Sequence, residues 1–377
     1  MMSLAVPTLA AAAPVPESCN VTALEGILPP SEGSGSRAEG INDRGEVAGS
    51  RSDEEKGYQE AVIWDNSGNA RELDELPGGS YGNVAYDINN AGQAVGVAHE
   101  THDHPREDFG EFAFQHAVTW DKNGVVTDLP LLPGIDELGG QAEALAINDA
   151  GTIAGWASGP PIEEFGDLFH GDPQAVIWTP TPGGGYTITK LEDLPGTQLS
   201  EAADINNQGQ VVGYALINFS PVAVTWDREG NVTQLPVPDG ARGVQATAIN
   251  NKGQIVGNAR IGSKGVVLVW TPAPSGGYTV SVIETDYRSS GANDINDAGV
   301  IAGLVSPNAA RQTTAAIFTP TRGGGYRVTE LCHLPGQTPA HRYSAAHAIN
   351  NQGQVAGRSF GRGQTFGDDR AVRWDTR

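Results

Sequence analysis

An all-β chain built from repeats is predicted by three observations. The phrase Ile-Asn-x-x-Gly-x-x-x-Gly occurs seven times, starting at Ile41, Ile88, Ile147, Ile205, Ile249, Ile295 and Ile349, at intervals of 44 to 59 residues. Each copy is followed by an apolar run closing on an aromatic residue: Trp64, Trp120, Trp178, Trp226, Trp270, Phe318 and Trp374. No stretch carries a 3.6-residue apolar period long enough for a substantial helix. Four short runs per unit, bounded by Gly, Asn, Asp and Pro, read as four antiparallel strands. Seven such units predict a seven-bladed β-propeller.

The unit around Ile205 justifies each strand in turn. Its runs lie near 202–206, 210–215, 222–227 and 231–235. Asn206-Asn207-Gln208-Gly209 is expected to supply the φ > 0 residues of a tight hairpin between the first two strands, and Asp227-Arg228-Glu229-Gly230 to do so between the last two. The segments Gly183-Gly184-Gly185-Tyr186, Gly276-Gly277-Tyr278 and Gly323-Gly324-Gly325-Tyr326 lead into strands. With no helix start and no Walker lysine, they are hairpin tips, not phosphate cradles.

The chain's ends fit the same scheme. Ala371-Val372-Arg373-Trp374-Asp375 reads as a third strand and Val21-Thr22-Ala23-Leu24 as a fourth. The N-terminal strand is therefore expected to complete the last blade and remove an open edge. Residues 1–18 read as a signal-peptide remnant or disordered leader, ending near the small residues Ala10 to Ala13, and 19–377 as a single propeller domain. A secreted or extracellular protein is the expectation.

Composition narrows the partners. Of 377 residues, 18% are charged and the formal net charge is −22, which repels phosphate backbones and anionic headgroups. Nucleic-acid binding is excluded on that ground. No run of 18 apolar residues supports membrane insertion. Cys19 and Cys332 are the two cysteines. Taking the outer strands of neighbouring blades as parallel puts them at opposite faces, so both are expected to be unpaired, with Cys332 the more accessible.

The INNxGQVVG-like phrases followed by a Trp resemble the bacterial HAF-repeat family of probable extracellular repeat proteins, over about residues 21–377. The name-giving triplet is nearest at His116-Ala117-Val118; other units read Ala-Val, as at Ala61-Val62. The resemblance implies an exported propeller and transfers no catalytic residue.

Function is expected on the face carrying the long, non-repeating loops, since irregular loops on a rigid scaffold concentrate binding. These insertions span 99–115, 158–173 and 359–369. His99, His102 and His104, with His170 nearby, are candidate ligands for a divalent metal. Phe109, Phe112, Phe165 and Phe169, flanked by acids, are candidates for stacking on a sugar ring or gripping a peptide. The leading expectation is a lectin-like, non-enzymatic binding propeller for a glycan or protein, with no cofactor. The alternative is an extracellular metal-assisted hydrolase or lyase using the His/acid loops of blades 2 and 3. Calcium at the INxxG turns is rejected, because four of the seven lack the leading acid and the loops are short.

Overall fold

A computed structural model describes residues 20–24, 35–53, 57–77, 82–103, 111–135, 140–158, 162–164, 167–169, 171–307, 313–335, 343–360 and 369–376. Among these the chain forms strands β1 to β30 and no helix. Four-stranded antiparallel meanders follow one another along it. The first is β2 to β5 (Ser36–Ile41, Val47–Asp53, Tyr58–Trp64, Ala70–Glu72), and the second β6 to β9 (Asn83–Ile88, Ala94–Asp103, Glu111–Trp120, Val126–Asp128). The third joins β10 (Ala142–Ile147), β11 (Ile153–Ser158), β14 (Pro173–Pro180) and β15 (Tyr186–Lys190). Between β11 and β14 sits a separate hairpin, β12 (Ile162–Glu164) with β13 (Asp167–Phe169).

The fourth is β16 to β19 (Thr197–Ile205, Val211–Ile217, Ser220–Trp226, Val232–Gln234). The fifth is β20 to β23 (Ala241–Ile249, Ile255–Ile261, Lys264–Pro272, Tyr278–Ile283), and the sixth β24 to β27 (Ser289–Ile295, Ile301–Ser306, Thr314–Pro320, Tyr326–Glu330). One parallel pairing, Gly265 with Ser289, links these two. The seventh runs β28 (Ser344–Ile349), β29 (Gln354–Phe360), β30 (Asp369–Asp375) and then β1 (Asn20–Ala23), with Val21 opposite Trp374.

The repeated asparagine explains how meanders become neighbours. In the fourth repeat, Asn206 Oδ1 accepts from the backbone N–H groups of Gln208 and Gln210, both at 3.0 Å, while its Nδ2 donates to Asn250 O at 3.2 Å in the next meander. The same donation runs from Asn42 to Asn89, Asn148, Asn206, Asn250, Asn296 and Asn350, and from Asn350 back to Asn42. A second relay lies beside it: each N–H one residue on is accepted by an Asp or Asn side chain of the following turn, from Asp43 through Asn351 and back to Asp43. Aspartate in the first position keeps the acceptor but loses the donor, which accounts for asparagine in all seven copies.

The expectation that these asparagines adopt positive φ is corrected. In the turn only Gly209 does, at 78°, and outside glycine positive φ among the described residues is confined to Asn218 and Phe219. We expect Asn206→Ala to cost about 2 kcal/mol, because two N–H groups and a carbonyl lose their partner in a buried turn. Urea unfolding checks this against an exposed control such as Lys122→Ala.

The aromatic anchors fill the space between meanders. Six tryptophans and Phe318 are fully buried. The indole N–H of Trp120, Trp178, Trp226, Trp270 and Trp374 each donates to a carbonyl in the segment closing the preceding meander: Asp74, Pro130, Glu192, Pro236 and Cys332, at 2.7 to 2.8 Å. The second glycine of each phrase allows this packing. A Cβ on Gly257 would strike the Gln245 carbonyl and lie 2.9 Å from the Trp270 ring.

The cysteine expectation is overturned. Cys332 is disulfide-bonded, and the chain's one other cysteine is Cys19. The equivalents of Cys332 show the reason. Asp74 N donates to Gly124 O at 3.0 Å and Glu192 N to Gly230 O at 3.1 Å. Those glycines lie two residues before Val126 and Val232, the strand residues opposite Trp120 and Trp226; in sequence Cys19 stands two residues before Val21, which lies opposite Trp374. Sheet twist carries the end of one outer strand to the beginning of the next; treating the strands as parallel left that out.

Candidate functional site

In every first strand the ladder slips by one residue, two positions before the repeated isoleucine. The bulged residues are Glu39, Tyr86, Leu145, Ala203, Thr247, Asn293 and His347, each preceded by a buried alanine. A bulge bends the strand and re-aims one side chain. Here it aims toward the neighbouring first strand: Thr247 Oγ1 donates to Ala292 O at 3.2 Å, Asn293 Nδ2 donates to Ala346 O at 2.7 Å, and His347 Nδ1 lies 3.0 Å from Ala38 O. The first strands thus surround a funnel whose polar groups differ from meander to meander.

Two kinds of group face each other there. On the side of meanders seven and one, His347 Nδ1 is 2.6 Å from Glu39 Oε2. Both neighbours of Nδ1 are acceptors, so that nitrogen carries a proton. Burial pushes the Glu39 carboxyl up, but contact with His347, backed by Arg358 and Arg37, outweighs it and holds the group below the ordinary glutamate value. Arg358 itself is held by Asp369 at 3.1 Å and by the Tyr343 hydroxyl at 2.9 Å.

On the side of meanders three and four stand Glu143 and Glu201. Burial raises the Glu143 carboxyl, with a hydrogen bond from Trp156 offsetting part of the effect. Burial also raises Glu201; the Tyr214 hydroxyl, donating at 3.1 Å, works against this, and the Glu143 charge adds to it. Tyr214 is pushed up to about 12, by burial first and then by Glu201. Tyr86 is raised by burial and then by Glu143, Glu39 and Glu201 together. Carboxylates from three meanders therefore act on one phenol.

Toward the INxxG turns the axis holds a cavity of about 160 Å³, lined by isoleucine and asparagine of the repeats and by Asp43, Asp149, Asp204, Asp294 and Asp297, with no basic residue.

The residues singled out from sequence lie elsewhere. His99 is in β7 opposite Gln115, and its Nδ1 is 2.9 Å from Gly82 O, so the stretch expected to begin a loop is regular strand. His102 and Phe112 are paired backbone positions in β7 and β8, and Phe169 pairs with Ile162 in β13; their side chains, and all of His104, Phe109, Phe165 and His170, lie outside the described residues. Among the described residues no group of three or more His, Cys, Asp or Glu is placed to hold a metal. The funnel residues lie in regular strands, outside the insertions that stand out in the sequence. The funnel's signal in the sequence is the position two before each isoleucine, which reads Glu, Tyr, Leu, Ala, Thr, Asn and His after an alanine present in all seven copies.

The meanders and their axial funnel define a propeller-like all-β protein. No family model matches the chain, and no curated protein does. Solved structures do. A streptogramin B lyase structure is 14% identical, with 94% of this chain and 97% of that one covered and a TM-score of 0.52. A catalytically inactive virginiamycin B lyase variant from Staphylococcus aureus, determined with quinupristin, is likewise 14% identical with a TM-score of 0.52, covering 96% of this chain and all of that one. A puromycin hydrolase variant is 13% identical with a TM-score of 0.57; 91% of this chain aligns with 52% of that one. At these identities the likeness is one of fold.

Proposed function

We propose that the chain is a closed seven-bladed propeller of HAF-repeat type, completed by β1, that takes an amine-bearing small molecule into its axial funnel and transforms it by acid–base chemistry. The two asparagine-turn relays that return to their starting points support the closed ring. One observation carries the function: first strands of the same set bear the Glu39–His347 pair, 2.6 Å apart, and the buried carboxyls Glu143 and Glu201, whose charges both act on Tyr86. Glu143 and Glu201 have aromatic hydrogen-bond donors and, among the described residues, no recorded basic partner. A ligand ammonium between them relieves their burial and mutual repulsion, and the faces of Trp156 and Tyr214 suit a cation. His347 Nε2 then accepts a proton from the ligand, Glu39 stabilises the imidazolium, and a protonated carboxyl of the opposite pair serves the leaving group. That set suits elimination or hydrolysis, and the fold's occurrence in a streptogramin B lyase and a puromycin hydrolase supports the same range.

A binding-only role on the loop face is the second reading. It is favoured by Phe219, 84% exposed at the tip of the β17–β18 hairpin in a backbone conformation that suits glycine. A glycan or protein would engage it together with Phe109, Phe112, Phe165 and Phe169. A divalent metal on His99, His102, His104 and His170 belongs to a separate reading that the funnel does not require.

Calorimetry with a panel of primary and quaternary amines tests the funnel. We expect binding to weaken at least tenfold in the Glu143→Gln/Glu201→Gln protein, with its melting unchanged or raised. We also expect wild-type binding to fade as acidification neutralises the raised carboxyls. Equal affinity in wild type and double variant sinks the proposal. Binding that instead follows Phe219→Ala moves function to the loop face.

A further inference from the structure

Three aspartates do structural work at the axis that neither reading uses. Each precedes a repeated isoleucine and accepts two backbone N–H bonds with its two oxygens, one inside its own meander and one in the next. Asp87 takes Ile88 N at 2.8 Å and Ile147 N at 2.9 Å; Asp204 takes Ile205 N and Ile249 N, both at 2.7 Å; Asp294 takes Ile295 N at 2.6 Å and Ile349 N at 2.7 Å. They clamp the second meander to the third, the fourth to the fifth, and the sixth to the seventh. The remaining first strands carry Gly40, Ala146, Ala248 and Ala348 at this position. A Cβ on Gly40 would lie 2.8 Å from the Asp87 Cα and 3.0 Å from its carboxylate.

We infer that Asp87, Asp204 and Asp294 form a proton-linked brace, three clamps that share protons as one set and hold the ring most tightly in acid. The groups facing them argue for this. From the turns come Asp43, Asp149 and Asp297, and no Lys or Arg lines the cavity that Asp204 and Asp294 reach; on the first strands β2 and β28, Glu39 and His347 are paired with each other. Three full charges around one axis, without a cation, repel one another through a poorly solvated interior. Protonating one oxygen leaves the other to accept its N–H at full strength and makes the first a weaker hydroxyl acceptor, while it removes a charge from the axis.

The titration follows the geometry. Burial raises all three. Asp204 reaches about 8, with the Asp294 and Asp87 charges adding to burial; Asp294 reaches about 6, with Asp87 adding; Asp87 rises with help from Asp149. A carboxyl raised on folding makes the folded state bind more protons than the unfolded one. Its stabilising contribution is complete below the ordinary aspartate value of 3.8 and is lost as pH rises through the folded value. For Asp204 the window runs from about pH 4 to about pH 8.

Thermal unfolding from pH 4.5 to 8.5, compared between wild type and Asp204→Asn, tests the inference. Asparagine removes the charge and keeps one oxygen to accept, and the second N–H bond it loses is a cost that does not change with pH. We expect the wild-type midpoint to fall by several degrees toward pH 8.5 and the variant midpoint to fall much less. Glu143 and Glu201 contribute equally to both proteins and cancel in the difference. Infrared spectroscopy of the wild type at pH 6 should show a protonated carboxyl band that shrinks in Asp204→Asn and survives in Glu143→Gln/Glu201→Gln. Parallel pH profiles for the two proteins, or a band that vanishes in the glutamate variant alone, overturn it.

Discussion

Deleting residues 1–25 is expected to produce the largest loss of stability of any short truncation, while deleting 1–17 leaves the unfolding midpoint unchanged. The first removes β1, which pairs along β30 from Asn20 opposite Asp375 to Ala23 opposite Val372, and Leu24, whose side chain is 2% exposed. It also removes the disulfide partner of Cys332. Losing a native disulfide that spans most of a chain costs about 2–5 kcal/mol, and losing a buried leucine about 2 kcal/mol more. The exposed edge of β30 adds a tendency to associate. The shorter truncation keeps Cys19, β1 and Leu24. Cys332→Ser should fall between the two. Urea midpoints for the three proteins decide the matter, and equal midpoints for both truncations would falsify closure by β1.

Trp226→Ala is the second large effect, at about 3–5 kcal/mol, the range for emptying a buried aromatic site. The ring is 1% exposed, packs with Leu191, Ile205, Val211 and Val224, and donates to Glu192 O at 2.7 Å. Trp226→Phe separates the two contributions. It keeps most of the packing and loses the indole N–H, which should cost about 1–2 kcal/mol including the smaller ring. The sixth meander already carries Phe318 in this place, fully buried and without a donor. A Phe variant as unstable as the Ala variant would make the hydrogen bond, not the filled volume, the dominant part.

Strand order and turn positions were readable because each unit has to solve the same packing problem. A buried Trp needs a glycine opposite it, and a two-strand junction needs a side chain that both accepts and donates. Those demands recur near every fiftieth residue and leave the same letters behind. The reach of the asparagine side chain was less visible, since φ > 0 and side-chain capping favour the same residue. The Cys19–Cys332 link was misjudged for a geometric reason: distance along an outer strand was counted as though the sheet were flat. The funnel had no repeated letter to reveal it. Glu39, Tyr86, Glu143, Glu201 and His347 occupy strand positions where the scaffold makes no demand, so they differ from unit to unit and look like noise beside the insertions. His99 shows the converse, a conspicuous residue inside an ordinary strand pairing.

The three clamps have an arithmetical consequence. Two oxygens on each of three aspartates serve six isoleucine N–H groups, and the repeat has seven isoleucines. An alternating pattern cannot close on an odd number, so one seam must place two small residues side by side. That seam lies between Ala348 and Gly40, where the seventh unit meets the first, and Ile41 is the isoleucine without an aspartate. It is also where Leu24, just past β1, packs between the two units and where Glu39 pairs with His347; the disulfide fastens the sixth unit to the seventh. The Glu39–His347 contact thus falls where the alternation of aspartate and small residue is broken. A circular permutant with its new ends between Gly196 and Thr197 would carry the termini elsewhere and leave the mismatch behind, so the position of weakest closure is a property of the cycle and not of the chain's ends.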